Sequence, residues 1–279
     1  MDHQPRKRFG QNFLKDGRVV DRILAAADLH ADDRVVEIGP GLGALTDRML
    51  GRSAGVTVME VDRDLGGRLQ ERSDPRLRVH IGDALRMDWP AILPDPPYKL
   101  VANLPYNISS QVLFKVLDHR ERFSRLVLMF QKEVGDRLCA SPGSRDYGVL
   151  SVLCQVWFDI RRVVTVPPGA FFPPPKVHSA VLVFDALPAP RVAIRDEGFF
   201  RRVVKGAFAQ RRKTLRNALC GAGFAPPDVD RALAASGIDP GRRGETLSLE
   251  EFSSLAGHLR KEADAGGEGD FQGRNDKQL

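Results

Sequence analysis

Residues 34–50 read RVVEIGPGLGALTDRML, and the fold turns on them. A β-branched run enters Gly39-Pro40-Gly41-Leu42-Gly43, and 44–50 then take a helical spacing. Strand, glycine turn and helix in that order open a parallel βαβ unit, at the edge where such sheets bind ligands. Glycines there let a ligand approach the backbone closely, although an ordinary tight turn would also use them.

Further apolar runs at 56–60, 77–81, 100–102, 126–130 and 180–184 alternate with helix-period segments, which is how crossover helices on a parallel sheet read. The expected fold is α/β, a Rossmann-like doubly wound sheet followed by a small helical domain. Leu187-Pro188-Ala189-Pro190 interrupts any regular element and sets the boundary, giving a first domain over 1–186 and a helical one over 191–260. Ser248 to Glu251 fits a capping box ahead of Phe252, Leu255 and Leu259. Residues 261–279 are polar and read as a disordered tail.

A 42% hydrophobic content supports a packed core, and Lys and Arg exceed Asp and Glu by 42 to 36, which favours a polyanionic partner. The cysteines, Cys139, Cys154 and Cys220, offer neither a disulfide framework nor a CxxC pair, and the scattered histidines form no site, so no metal is expected. No signal peptide or membrane span is legible, and a cytoplasmic protein is expected.

Glu60 ends the second strand about 20 residues beyond the glycine turn, where an acid bonds ribose hydroxyls. Asp62 is a rival, but Asp62-Arg63-Asp64 reads as a helix start. Asp83 follows the third strand, suited to an adenine amine or to capping a helix. Together these suggest a nucleoside-bearing cofactor; NAD stays possible, though the spacing departs from GxGxxG.

The fourth strand delivers Asn103-Leu104-Pro105-Tyr106 to the same edge. An adenine exocyclic amine is a poor nucleophile because its lone pair is delocalised into the ring. Accepting its N–H bonds with the Asn103 side-chain oxygen and the Leu104 carbonyl localises that pair, and Pro105 restrains the carbonyl. Tyr106 can stack on a flipped-out base. Asp95-Pro96-Pro97-Tyr98 looks similar but follows the proline-broken 89–94 segment, so 94–98 reads as a loop.

With RKRFGQNFL (6–14), EIGPGLG (37–43), NLPYNIS (103–109), QKEV (131–134), PPPKV (173–177) and QRRKTLRN (210–217), the chain resembles the KsgA-type small-subunit ribosomal RNA adenine dimethyltransferases over residues 6–260. The resemblance implies a class I methyltransferase sheet and S-adenosylmethionine, contacted by Asn12, Leu14, Gly39, Glu60, Asp83 and Asn103; Gly41 joins them from the glycine turn. It implies two methylations on each of two adjacent adenosines in the 3′-terminal hairpin loop of 16S rRNA, within a pre-30S particle, by a monomer. Phe171 matches an aromatic that would sandwich the base opposite Tyr106, with core packing the other reading. His178 stands where the family usually carries Asp.

Residues 191–220 hold nine Lys and Arg against two acids. Placed on one helix, Arg201, Lys205, Arg212 and Arg216 share a face; with Arg211 and Lys213 they form the expected RNA contact, the alternative being a solvated basic face. A large-subunit rRNA methyltransferase of the antibiotic-resistance type shares the Asn-Leu/Ile-Pro-Tyr chemistry, but residues 210–217 argue against it. A ribosome-assembly factor without catalysis is the third reading, which the intact Gly39, Glu60, Asp83 and Asn103 set disfavours.

Overall fold

A computed structural model describes residues 4–6 and 9–269. Its strands are β1 (Phe13–Leu14), β2 (Arg34–Ile38), β3 (Gly55–Glu60), β4 (Leu77–Ile81), β5 (Tyr98–Asn103), β6 (Phe123–Gln131), β7 (Phe158–Val166), β8 (Phe171–Phe172) and β9 (Ser179–Ala186). The helices are α1 (Gly17–Ala27), α2 (Thr46–Leu50), α3 (Arg63–Gln70), α4 (Trp89–Ile92), α5 (Ser109–Asp118), α6 (Lys132–Leu138), α7 (Val149–Trp157), α8 (Glu197–Phe208), α9 (Leu215–Gly221), α10 (Pro226–Ala235) and α11 (Leu249–Gly269).

The chain divides into two compact units: Met1–Cys139 with Phe158–Leu187, and Ala140–Trp157 with Pro188–Leu279. The first holds a seven-stranded sheet in the order β4-β3-β2-β5-β6-β9-β7, parallel from β4 to β6, with β9 antiparallel to both of its neighbours. Both faces are covered, as parallel sheets require. Val35, Val101, Val127 and Val181 share a core with Val20, Ile23 and Leu24 of α1, while the alternating Val36, Leu100, Leu126 and Leu182 are equally buried on the opposite face. The chain runs from β2 out to β4 on one side, then returns to β5 on the other. The β2/β5 junction is thus the switch point at which a doubly wound sheet opens a crevice.

Three expectations need correction here. Tyr98 is the first residue of β5 and is buried, so the loop before that strand ends at 97, and 89–92 form a short helix. Strand β7 escaped the sequence reading because Asp159, Arg161 and Arg162 break its apolar run; it is an edge strand, where charge discourages pairing with another chain. The first domain is also discontinuous. Helix α7, VLSVLCQVW, is apolar nearly all round and buries Val152, Leu153, Cys154 and Val156 within the second unit, whose Arg191 N–H donates to the Val156 carbonyl at 2.8 Å.

The second unit closes on the expected capping box: Ser248 N–H donates to Glu251 Oε2 at 2.8 Å, and Glu251 N–H donates to Ser248 Oγ at 3.2 Å. The helix it starts continues to Gly269, through the first part of the segment read as a disordered tail. Residues 270–279 lie outside the described residues, as do Lys7 and Arg8 of the first motif.

Candidate active site

The C-terminal ends of β2, β3, β4 and β5 and residues 9–14 enclose a cavity of about 300 Å³. Its lining includes Asn12, Leu14, Gly39, Gly41, Glu60, Asp83 and Asn103, and with them Leu104, Pro105 and Tyr106. Residues separated by some ninety positions meet because parallel strands end on one edge. Tyr98 starts β5, so the Asp95-Pro96-Pro97-Tyr98 look-alike stands at the opposite edge, about 16 Å from Asn103 at the usual strand rise.

Glu60 is 3% exposed, and its oxygens accept N–H bonds from Gly41 at 3.1 Å and Asp62 at 2.9 Å. Burial pushes its pKa up, and those backbone donors oppose the shift. The carboxylate lines the cavity and keeps acceptor capacity for a ribose hydroxyl. Asp62 caps α3 by accepting the Asp64 N–H at 3.1 Å. Asp83 also accepts the Leu85 N–H at 2.9 Å, so the local-cap reading is observed while the residue lines the cavity. Leu42 and Val61, 50% and 40% exposed, give the cavity apolar walls beside Glu60. A carboxylate with spare lone pairs next to open apolar surface fits the adenosine half of S-adenosylmethionine.

Asn103 ends β5 and donates from Nδ2 to the Asn12 carbonyl at 3.1 Å, which leaves Oδ1 as the acceptor. Leu104 is 1% exposed, so its buried side chain fixes the carbonyl beside it. The Tyr106 hydroxyl lies 2.6 Å from Ser179 Oγ, and Ser109 Oγ donates to the Tyr106 carbonyl at 3.1 Å. Burial raises the Tyr106 pKa, so this phenol is a neutral surface at ordinary pH.

Phe171 does not join this set. It is 1% exposed in the α1-side core and absent from the cavity wall, so as it stands it offers no face to a base. The reason is strand alternation in the β1–β8 ribbon, which turns Phe171 inward and leaves Phe172 58% exposed.

Sequence reasoning gave no role to Glu37, Gln11 or Phe13, all of which line the cavity. Glu37 is 2% exposed, and burial lifts its pKa to about 8 against the opposing Thr46 hydroxyl bond. Its acidity within the apolar run RVVEI was the available signal.

The basic segment is not one helix. α8 ends at Phe208 and α9 starts at Leu215, because Thr214 caps α9 and the Leu215 N–H donates to the Arg242 carbonyl at 2.6 Å. Arg216 is bound to Asp230 through two bonds of 2.5 and 2.8 Å, and Arg201 pairs with Glu197 at 2.8 Å. Arg211, Arg212 and Lys213 form an exposed turn, with Arg211 donating to the Arg145 carbonyl. Lys205, on α8, is exposed as well.

A family model for ribosomal RNA adenine dimethylase matches residues 2–261. The chain belongs to that family. Among relatives of this dimethylase, the Ribosomal RNA small subunit methyltransferase A of Syntrophotalea carbinolica is 70% identical over 256 residues, covering 92% of this chain and 97% of its own. A dimethyladenosine transferase from Plasmodium falciparum has a similar structure, with a TM-score of 0.70, 25% identity, and coverage of 90% of this chain and 98% of that one. The 23S rRNA methyltransferase ErmE superposes with a TM-score of 0.67 at 26% identity, covering 89% of this chain and all of its own (100%). The dimethylase has no helix among the described residues long and apolar enough to cross a membrane.

Proposed function

We propose that this dimethylase transfers methyl groups from S-adenosylmethionine to N6 of two adjacent adenosines in the 3′-terminal hairpin loop of small-subunit rRNA, two to each. The observation that carries the reading is the convergence of the glycine turn, Glu60, Asp83 and Asn103 to Tyr106 on one cavity. The cofactor supplies a methyl group made electrophilic by its sulfonium. Glu60 takes the ribose hydroxyls, Asp83 the adenine amine, and Asn12, Leu14, Gly39 and Gly41 the remaining wall.

Asn103 Oδ1 and the Leu104 carbonyl accept the two N6–H bonds, drawing the nitrogen lone pair out of the ring and toward the methyl group. Tyr106 covers one face of the base. As the N6–CH3 bond forms and the S–CH3 bond breaks, N6 becomes acidic and its proton leaves to water, so positioned acceptors replace a general base. Phe171 could take the second face only after the β1–β8 ribbon turns it outward.

Arg211, Arg212, Lys213 and Lys205 contact phosphate, while Arg201 and Arg216 are held in ion pairs with Glu197 and Asp230. We further infer action as a monomer on an assembling small-subunit particle in the cytoplasm. The similarity to ErmE keeps large-subunit rRNA as the competing substrate, and the 70% identical small-subunit relative weighs against it.

The test is incubation with labelled S-adenosylmethionine and, separately, naked small-subunit rRNA, unmethylated small subunits and large subunits, with modified nucleosides mapped by mass spectrometry. Adjacent dimethyladenosines confined to small subunits are expected. Methylation of large-subunit rRNA alone would move the assignment.

A further inference from the structure

Residues 9–14 touch the turns that follow β2, β3 and β5 at the cavity edge. A Cβ at Gly10 would stand 2.8 Å from Asn107 Oδ1, and one at Gly41 would stand 2.9 Å from the Phe13 ring, so this segment is seated against both the catalytic strip and the glycine turn. Its Asn12 carbonyl holds the Asn103 amide.

What anchors the segment is a closed polar ring. The Arg6 N–H donates to Gln11 Oε1 at 2.7 Å, Gln11 Nε2 donates to Asp62 Oδ2 at 3.0 Å, and Arg6 Nη1 donates to Asp62 Oδ1 at 2.7 Å. A second guanidinium nitrogen pairs with Asp64. Asp62 is fully buried and stands two residues after Glu60. A buried carboxylate stripped of its partners is strongly destabilised, so this ring holds its geometry firmly.

We propose that Arg6 and Gln11 are positioning residues for methyl transfer: bound to Asp62, they set the Asn12 carbonyl so that Asn103 keeps Nδ2 on that carbonyl and Oδ1 toward the base. An amide left without this bond turns between two orientations, and in one of them it presents N–H groups to the N–H bonds of the substrate. The same anchor ties orientation of Asn103 to the loop that takes the cofactor ribose. This inference rests on the proposed role of Asn103.

The experiment is single-turnover methyl transfer to unmethylated small subunits at saturating S-adenosylmethionine, with the cofactor dissociation constant and unfolding midpoint measured alongside. Arg6→Ala, Gln11→Ala and Asp62→Asn should each slow transfer about tenfold. The Arg6→Ala, Asp62→Asn double variant should lose much less than the product of the two single losses, because both weaken the shared Arg6–Asp62 contact. Arg6→Lys, which keeps the charge, should recover part of the rate. Unfolding midpoints should fall for the Arg6 and Gln11 variants, since each leaves buried Asp62 short of a partner, so transfer is read at a temperature well below every midpoint, where all the variants are folded.

Full-speed transfer once cofactor is saturating would overturn the proposal, since the ring would then only retain cofactor. Multiplicative losses in the double variant would overturn it as well. Asn103→Ala run in parallel separates the two levels. If it is inactive while Gln11→Ala is at full speed, only the positioning role falls; if Asn103→Ala is fully active, the catalytic reading falls with it.

Discussion

Glu37 is the residue whose chemistry its surroundings alter most visibly. Buried at the end of β2 with the Thr46 hydroxyl donating to it at 2.5 Å, it has its pKa raised from 4.5 to about 8 by burial, and the neighbouring Glu60 adds to the rise. Between those values the folded chain keeps a proton that the unfolded chain releases. The stability it contributes is therefore complete below pH 4.5 and declines toward pH 8, by at most about 1.4 kcal/mol per pH unit. Glu37→Gln is expected to remove that decline, so its urea midpoint should gain on the unsubstituted chain as pH rises from about 5 to 8. Parallel curves would mean that the carboxyl is ionised inside the fold. Asn103→Ala should lower the turnover of small subunits by about a hundredfold or more, with particle binding retained, since acceptors preorganised for the reacting amine act chiefly in the transition state. Both residues were legible as types in the sequence. Only Asn103 was legible as a role, because its neighbours Leu104-Pro105-Tyr106 specify the chemistry, whereas the burial of Glu37 depends on α2 folding over it.

At the scale of elements, angular projection of 201–216 assumed an unbroken helix, and the turn between α8 and α9 removes that premise. What survives is the turn itself. Reversing Arg212 and Lys213 to Glu should weaken rRNA binding and flatten its salt dependence by roughly 0.7 to 0.9 per lost phosphate contact. Arg216→Ala should leave the slope unchanged, because that guanidinium is already paired with Asp230. An equal effect of Arg216→Ala in the salt series would mean that RNA displaces Asp230. Strands β2, β3, β5 and β6 were readable because interior parallel strands are apolar on both faces, and the edge strand β4 because Leu77, Val79 and Ile81 alternate with Arg78 and His80. The edge strand β7 and the two-residue ribbon of β1 and β8 were not, since neither carries a periodic apolar run long enough to distinguish it from loop.

Across the whole molecule, the cavity is built by the first unit alone, from residues 9 to 108. Saturating S-adenosylhomocysteine should therefore slow amide hydrogen exchange around 10–14, 39–43, 60–62, 82–84 and 103–106. Protection confined to residues 188–262 would contradict the site. The sequence by itself determined the parallel strands β2 to β6, the edge at which they end and the side chains delivered to it. Apolar runs and glycine or proline breaks are local properties of the chain, and parallel strands joined by crossovers end on one edge whatever lies elsewhere. The tertiary structure decided which of those side chains are available. Phe171 is withdrawn into the core, Arg216 is spent on Asp230, residues 140–157 join the second unit, and Arg6 reaches Asp62 across 56 positions. Burial and ion pairing are set by partners distant in the chain, and no local pattern records them.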